Sequence, residues 1–571
     1  MRKALPIVLF IVAISKIAFA QNLYRTEFLG RPTDSSITVK LFFADSAEVQ
    51  VQYGTSPGVY SSQTSWQLFA DSVPASIILS GLMPDTKYYY RVRHRLPNGG
   101  QATNRQEYSF HTARRPGSAF VFVVQADPHL DENSDTALYR LCLQNQLEDQ
   151  PDFMIDLGDY LMTEKLKDTA TNSIPFDTLV YRCNLLRSYY ESECHSVPLF
   201  IANGNHEGES GWYLDGTPNN LAVWSTNERK KYFLNPAVDY FYSGDTTNYP
   251  FVGRRDAYYS WTWGDAQFIV LDPFWYTTQK PDSLHGWYWS LGETQYNWLR
   301  ATLQNSVSPY KFVFAHHIIG GDPQGRGGTE YANFYEWGGE NKDSTSGFAV
   351  NRPGWYKPIK DLLEENRVNI FFHGHDHFFD QQQLNCMIYQ ETPQPSLHNF
   401  NYPNQAAQYG YLSGLIKSNS GHLRVTVDSS GTLVEYVRVY LPSDTNSTHH
   451  NKDVAASHYI SRVNCYDSLS SVVPIVWNSN YEDEIAFPNP FSRETTIRFS
   501  LQEEARVYVD IYSSEGKLIR RLLNGQPVSN GDHLIIWDGK DGSGNDVISG
   551  VYHYTVRYDH FSKGGAVILQ R

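Results

Sequence analysis

Five apolar runs in the middle of the chain each end in acid, amide or imidazole side chains. Phe120-Val121-Phe122-Val123-Val124 leads to Asp127-Pro128-His129, and Phe153-Met154-Ile155 to Asp156-Leu157-Gly158-Asp159. Pro198-Leu199-Phe200-Ile201 leads to Asn203-Gly204-Asn205-His206-Glu207, and Lys311-Phe312-Val313-Phe314-Ala315 to His316-His317. Val368-Asn369-Ile370-Phe371-Phe372 leads to His373-Gly374-His375-Asp376-His377. Short runs rich in aromatic and β-branched residues predict buried strands. Helical spacing recurs between them, at Thr136 to Glu148, where Leu138, Leu141 and Leu147 share a face, and at Tyr356 to Asn366. This alternation predicts a layered α/β core, in which functional groups gather at the carboxyl ends of the strands. In extended chain, side chains two apart point the same way, so His375 and His377 are expected to face one cluster. Gly374, lacking a Cβ, permits a sharp turn or a close backbone approach before them. Gln267 to Asp272 reads as a further strand, with a structural acid at its end.

The pattern changes on both sides of this core. From 22 to 114, short alternating segments such as Ile37 to Leu41 and Val49 to Tyr53 lie between Gly, Pro, Asp and Ser turns, which predicts a β-sandwich. Arg114-Arg115-Pro116-Gly117 marks its boundary; His94 and His111 read as ordinary strand residues. Residues 441–483 are rich in Ser, Thr, Asn, Asp and His without periodicity and read as a linker or extension. From 484 to 571 short strands return, among them Arg506 to Tyr512. The acidic loop at Asp538 reads as turn chemistry rather than a calcium loop, because Lys540 stands where an oxygen ligand would be needed.

Composition narrows the function. The 571 residues, 41% hydrophobic, are enough for several domains. A formal charge of −14 argues against a nucleic-acid or anionic-membrane surface as the main partner. Five cysteines are too few for a disulfide scaffold and lack zinc-ribbon spacing; Cys183 and Cys194 read equally as a pair or as free thiols. Residues 1–20 carry Arg2 and Lys3, an apolar stretch and Ala18-Phe19-Ala20, the pattern of a secretory signal cleaved before Gln21. No run approaches membrane-spanning length. Residues 209–289 are unusually aromatic; most of these rings are expected in the core, with a few lining a pocket.

The ordered set Asp127-Pro128-His129, Gly158-Asp159, Gly204-Asn205-His206-Glu207, His316-His317 and Gly374-His375-Asp376-His377 resembles the binuclear metallophosphoesterases, which include calcineurin-like and purple acid phosphatases. The resemblance covers 117–440 and implies an αββα-type α/β sandwich holding two metal ions, Fe, Zn or Mn. Carried over, it implies Asp127, His129, Asp159 and His377 around one metal. It implies Asp159, Asn205, His316 and His375 around the other, with Asp159 bridging. His206 is implied as the catalytic group that steadies the transition state or protonates the leaving oxygen, with a hydroxide held between the metals as nucleophile. His317 and Arg326 are candidate phosphate contacts. Purple acid phosphatases carry a tyrosine three residues after the bridging aspartate; Met162 stands there, which argues against iron-tyrosinate chemistry.

The flanks carry resemblances of their own, so the expected fold is multidomain, with two immunoglobulin-like β-sandwiches around the α/β sandwich. Gly81-Leu82-Met83-Pro84-Asp85-Thr86-Lys87-Tyr88-Tyr89-Tyr90-Arg91-Val92 resembles the turn and strand of fibronectin type III domains, with Tyr88 as corner tyrosine. Ala486 to Phe491, Ile536 to Gly544 and Ser549 to Tyr554 together resemble the C-terminal sorting domain of type IX secretion cargo in Bacteroidetes-like bacteria. The expected function is a secreted or cell-surface phosphomonoesterase, exported through the periplasm of a Gram-negative bacterium. Its expected partners are a small phosphorylated substrate and the secretion machinery. A phosphodiesterase or nucleotidase of the same fold, and an adhesive surface protein with a degenerate phosphatase domain, are the alternatives.

Overall fold

The computed structural model describes residues 23–71, 73–168, 174–322, 324–400, 405–462, 466, 486–501, 504–513, 517–558 and 561–571. The expected export signal at 1–20 and much of the expected linker lie outside them.

Two sheets face one another in the centre of the chain. The first runs in the order Leu199–Ile201, Phe153–Asp156, Phe120–Gln125, Gly421–Val427, Gly431–Arg438, Val454–Ser461. Its first three strands are parallel, with Met154 beside Leu199 and Phe153 beside Phe122. The second runs Ser243–Gly244, Tyr259–Trp263, Ala266–Val270, Tyr310–Phe314, Ile370–His373, Met387–Glu391, Asp380–Leu384, and its four strands from Ala266–Val270 to Met387–Glu391 are parallel.

Two-residue alternation sorts the side chains between layers. Phe122, Val124, Phe153 and Phe200 point inward and meet Phe268, Phe312, Phe314 and Phe372 of the other sheet in one buried cluster. Phe122 lies edge-on to Phe268 at 5.1 Å, and Phe314 stacks on Phe372 at 4.9 Å. The intervening residues Val123, Met154, Leu199 and Ile201 join Tyr139 and Leu143 of helix Thr136–Glu148 and Leu179 and Leu186 of helix Phe176–Tyr190. On the outer face of the second sheet, Ile269, Val313 and Phe371 join Leu299 and Leu303 of helix Gly292–Gln304 and Leu362 and Leu363 of helix Ile359–Glu365. The layering is helix, sheet, sheet, helix.

Helix Thr136–Glu148 has the expected limits because Asp135 caps it, accepting from the Ala137 and Leu138 amides. The helix expected over Tyr356 to Asn366 is shorter, Ile359–Glu365. Pro358 has no N–H and disfavours helical backbone at Lys357, so the helix starts after it. Val454–Ser461, read from sequence as part of an irregular extension, is an edge strand paired antiparallel with Gly431–Arg438. Its small residues Ala455, Ala456 and Ser457 hide the alternation that larger side chains would display. Cys183 and Cys194 are buried free thiols, which removes the pairing alternative, whereas Cys386 is disulfide-bonded. No helix among the described residues is long and apolar enough to cross a membrane.

Each flank is built of two antiparallel sheets. The N-terminal pair encloses Leu29, Val39, Leu41, Val49, Val51, Ile77, Tyr90 and Val92, and the Tyr88 hydroxyl accepts from the Met83 amide at 2.9 Å. It packs on the end of helix Phe176–Tyr190: the Leu29 amide donates to the Cys194 carbonyl, and Arg187 lies 4.0 Å over the Phe28 ring. The C-terminal pair encloses Ile497, Phe499, Val507, Val509, Ile511 and Trp537. In its acidic loop, Asp538 accepts from the Lys540 amide and Asp541 from the amides of Ser543 and Asn545, which is turn chemistry.

Candidate metal centre

The chain turns sharply where the strands end. Asp127, His129, Asp159, His375 and His377 all have left-handed backbone, with φ of 57, 49, 57, 80 and 70°. Such a conformation costs a non-glycine residue about 1–3 kcal/mol and persists only where its surroundings hold it. Close packing of the turns does so here. A Cβ on Gly158 would fall 2.3 Å from the Gly204 amide nitrogen, and one on Gly374 would fall 2.5 Å from the Ala126 Cβ. The strand before Gly374 stops at His373, so His375 and His377 are not in extended chain, yet both reach the donor groups that Asp159 joins. Left-handed backbone at both sends them to different groups.

Those groups are Asp127, His129 and His377, and Asp159, His316 and His375, each with ligand atoms within 4.8 Å of one another. In the first, Asp127 Oδ1 is 3.6 Å from His129 Nε2 and 3.5 Å from His377 Nε2. In the second, His316 Nε2 is 3.2 Å from Asp159 Oδ2, 3.1 Å from His375 Nδ1 and 3.0 Å from Asn205 Oδ1. Asp159 Oδ2 also lies 3.9 Å from His129 Nε2, so it reaches both groups.

Two histidines are aimed by backbone carbonyls. His316 Nδ1 is 3.0 Å from the Leu157 carbonyl and His375 Nε2 is 3.0 Å from the Gln324 carbonyl. A carbonyl only accepts, so these nitrogens carry a proton and the opposite ones face the cluster. Burial works against ionised Asp127, but His377, His129 and His316 override it and hold the carboxyl well below the ordinary range. Burial likewise works to lower His129 and His316, yet the facing carboxylates push both up to about 9. Burial, with Arg326 nearby, carries His375 well below its ordinary value. Asp127 Oδ1 and His129 Nε2 are buried without a hydrogen-bond partner. Orphaned polar atoms are expensive in a protein interior. Here they face other donors of nitrogen and oxygen type, with no thiolate, which suits divalent cations of intermediate hardness. The residues present fit a metal pair.

His206 and His377 form the open edge, with side chains 23% and 21% exposed. The His206 amide donates to Asp159 Oδ1 at 2.8 Å, and its ring Nε2 lies 3.9 Å from Asp159 Oδ2. His317 is buried, its ring 4.5 Å from Trp289 and 5.4 Å from Phe274. Arg326 donates through Nη1 to the His375 carbonyl and to Asp376. Asp272 is buried against Arg255 at 2.6 Å, a structural ion pair as expected. Glu207, given no role from sequence, is wholly buried and accepts from the amides of Gly204, Asp159, Tyr160 and Leu161. It ties the Asn205 turn to the Asp159 turn. The run of tight turns around it was the available signal, since bare amides in a buried turn require an acceptor.

A family model described as calcineurin-like phosphoesterase matches residues 120–379, the segment that supplies every one of these donors. The chain carries a calcineurin-like metallophosphoesterase domain. A second model, described as FlgD Ig-like domain, matches residues 490–560. "Probable inactive purple acid phosphatase 1" of Arabidopsis thaliana is 25% identical over 319 residues, covering 55% of this chain and 44% of that protein. "Purple acid phosphatase 23" of the same plant is 23% identical over 340 residues, covering 56% and 59%. The chain spans about half the length of the curated relatives it matches. Among solved structures, that of PhoD shares the fold with a TM-score of 0.59 at 13% identity, covering 82% of this chain and 94% of that one. The purple acid phosphatase PPD1 of yellow lupin gives 0.51 at 18% identity, covering 79% and 78%.

One feature sets this metallophosphoesterase domain apart from the purple pattern. Met162 is buried at the position of the tyrosine, and the ring of neighbouring Tyr160 packs 5.7 Å from Phe233 in the helix-side core. Iron-loaded protein is therefore expected to lack a tyrosinate charge-transfer band in visible absorption. Finding that band, and losing it in Tyr160→Phe, would show the assignment to be wrong.

Proposed function

We propose that this protein hydrolyses phosphate monoesters at a pair of metal ions, Fe, Zn or Mn. Asp127, His129, Asp159 and His377 hold one ion, and Asp159, Asn205, His316 and His375 the other. The observation that carries this reading is the convergence of these side chains, with Asp127 Oδ1 and His129 Nε2 buried and unsatisfied. When bound, a divalent pair supplies Lewis-acid activation of water and of the phosphoryl oxygens.

The chain's own residues do the rest. The substrate approaches over the open edge formed by His206 and His377. His206, anchored through its amide to Asp159, stands at that edge, where its ring holds or delivers a proton at the leaving oxygen. His317 and Arg326 are the sequence candidates for phosphate contact; the His317 ring is buried beside Phe274 and Trp289, and Arg326 is bonded to Asp376. Turnover of phosphomonoesters and phosphodiesters by metal-stripped protein, before and after addition of Mn, Zn or Fe, tests the proposal. Monoester turnover restored by metal is the expected result. Preference for diesters would move the assignment to a phosphodiesterase or nucleotidase, and turnover without metal would end it.

We further infer export, with 484–571 as the sorting segment. The Cys386 disulfide supports an oxidising destination. All proposed ligands lie between Asp127 and His377, so a chain ending at residue 481 is expected to keep its turnover per folded molecule while its extracellular fraction falls in the native host. Undiminished export of the truncated chain would refute the sorting role, and lost turnover in a stably folded one would refute its catalytic silence.

A further inference from the structure

We infer that Asp376 and Arg326 are a positioning pair that sets His375 and thereby controls one metal position more than the other; this rests on the metallophosphoesterase reading above. Asp376 stands between His375 and His377 but belongs to neither donor group. Its buried carboxylate accepts from Arg326 Nη1 at 2.9 Å, from the Gly327 amide at 2.8 Å and from the Tyr411 hydroxyl at 2.8 Å. Its own amide donates to Glu391 at 3.1 Å. Arg326 also donates to the His375 carbonyl at 2.7 Å, and its guanidinium lies 4.1 Å over the Tyr409 ring.

The consequence follows from where these bonds fall. The segment 324–327 grips His375 twice, through the Gln324 carbonyl on the ring and through Arg326 on the main chain. His375 has φ of 80°, a conformation it would leave if released. His377 is held differently, its ring facing Asp127 Oδ1 at 3.5 Å. Arg326 is thus placed to act on the Asp159, His316, His375 group, its single Nη1 group bridging the His375 carbonyl and the Asp376 carboxylate.

The test is stepwise Mn²⁺ binding to the full chain by titration calorimetry, with metal content and thermal midpoint measured on the same samples. Wild type is expected to take up two ions. Asp376→Asn and Arg326→Gln should each weaken one step by about 10–100-fold, the usual range for groups that orient a ligand, and leave the other within about twofold. Arg326→Lys should recover part of the loss. Tyr411→Phe, which removes a single hydrogen bond, is the milder variant to read if the others fail to fold. Equal weakening of both steps, or no weakening of either, in a folded variant overturns the inference. Wild type that binds no Mn²⁺ overturns the metal-centre reading itself, and this inference with it.

Discussion

Asp159→Asn is expected to lower kcat/KM by at least about 10³-fold, equivalent to about 4 kcal/mol of transition-state stabilisation. The carboxylate of Asp159 reaches both donor groups, 3.2 Å from His316 and 3.9 Å from His129. Asparagine keeps the shape and one carbonyl oxygen, so the His206 amide can retain its acceptor, but it removes the charge that balances two cations. Both ions should loosen together, in contrast to the one-sided loss expected from Arg326→Gln. Metal content should fall alongside activity, and saturating metal should restore only part of the rate. An Asp159→Asn protein with wild-type turnover, or metal-stripped wild type with full activity, would refute the proposed mechanism.

The strand ends were legible because an apolar run and a polar terminus are both local signals. Phe120–Gln125, Phe153–Asp156, Tyr310–Phe314 and Ile370–His373 all fall where the hydrophobic pattern places them. What escaped was set by contacts between distant segments. The left-handed backbone at His375 and His377 is one such case, with Gly374 packed against Ala126 and His375 bonded to Arg326 and Gln324. Glu207 and Asp376 gained their roles only when other turns brought bare amides and a guanidinium to them. The strand Val454–Ser461 is specified by an exposed sheet edge, not by its own small side chains.

Burial also decides between geometries that look alike. Cys142 Sγ lies 3.8 Å from His422 Nδ1, and His422 Nε2 lies 2.9 Å from Asp149, an order of groups that could activate a thiol. All three are shut inside the fold, and burial pushes the Cys142 thiol far up, away from the thiolate a nucleophile needs. The arrangement ties helix Thr136–Glu148 to strand Gly421–Val427. The metal centre differs in having an open edge at His206 and His377.

Glu209→Gln is expected to destabilise the fold by about 3–5 kcal/mol without removing a ligand, because it leaves buried Arg229 without the anion it pairs with and Arg255 with one of its two. Glu209 is wholly buried and accepts from Arg229 Nη2 at 3.1 Å, Arg255 Nη2 at 2.7 Å and Thr226 at 3.0 Å. Arg255 in turn binds Asp272 at 2.6 Å and lies 4.0 Å over Trp275, so the network pins the aromatic segment against the strand end at Asp272. Burial acts to raise the Glu209 carboxyl, but Arg229 and Arg255 override it and hold it down at about 2. A carboxyl depressed in the folded state stabilises the protein fully above its unfolded value, near 4.3, and that contribution is lost as pH falls toward about 2. The shift is worth about 3 kcal/mol at 1.36 kcal/mol per pH unit. Denaturant unfolding of wild type and variant across this window checks both parts. Wild type should lose stability steeply between about pH 4.5 and 2, and Glu209→Gln should start lower and fall less. A variant as stable as wild type at pH 7, or one with the same acid slope, would mean that Glu209 does not carry the charge balance of this network.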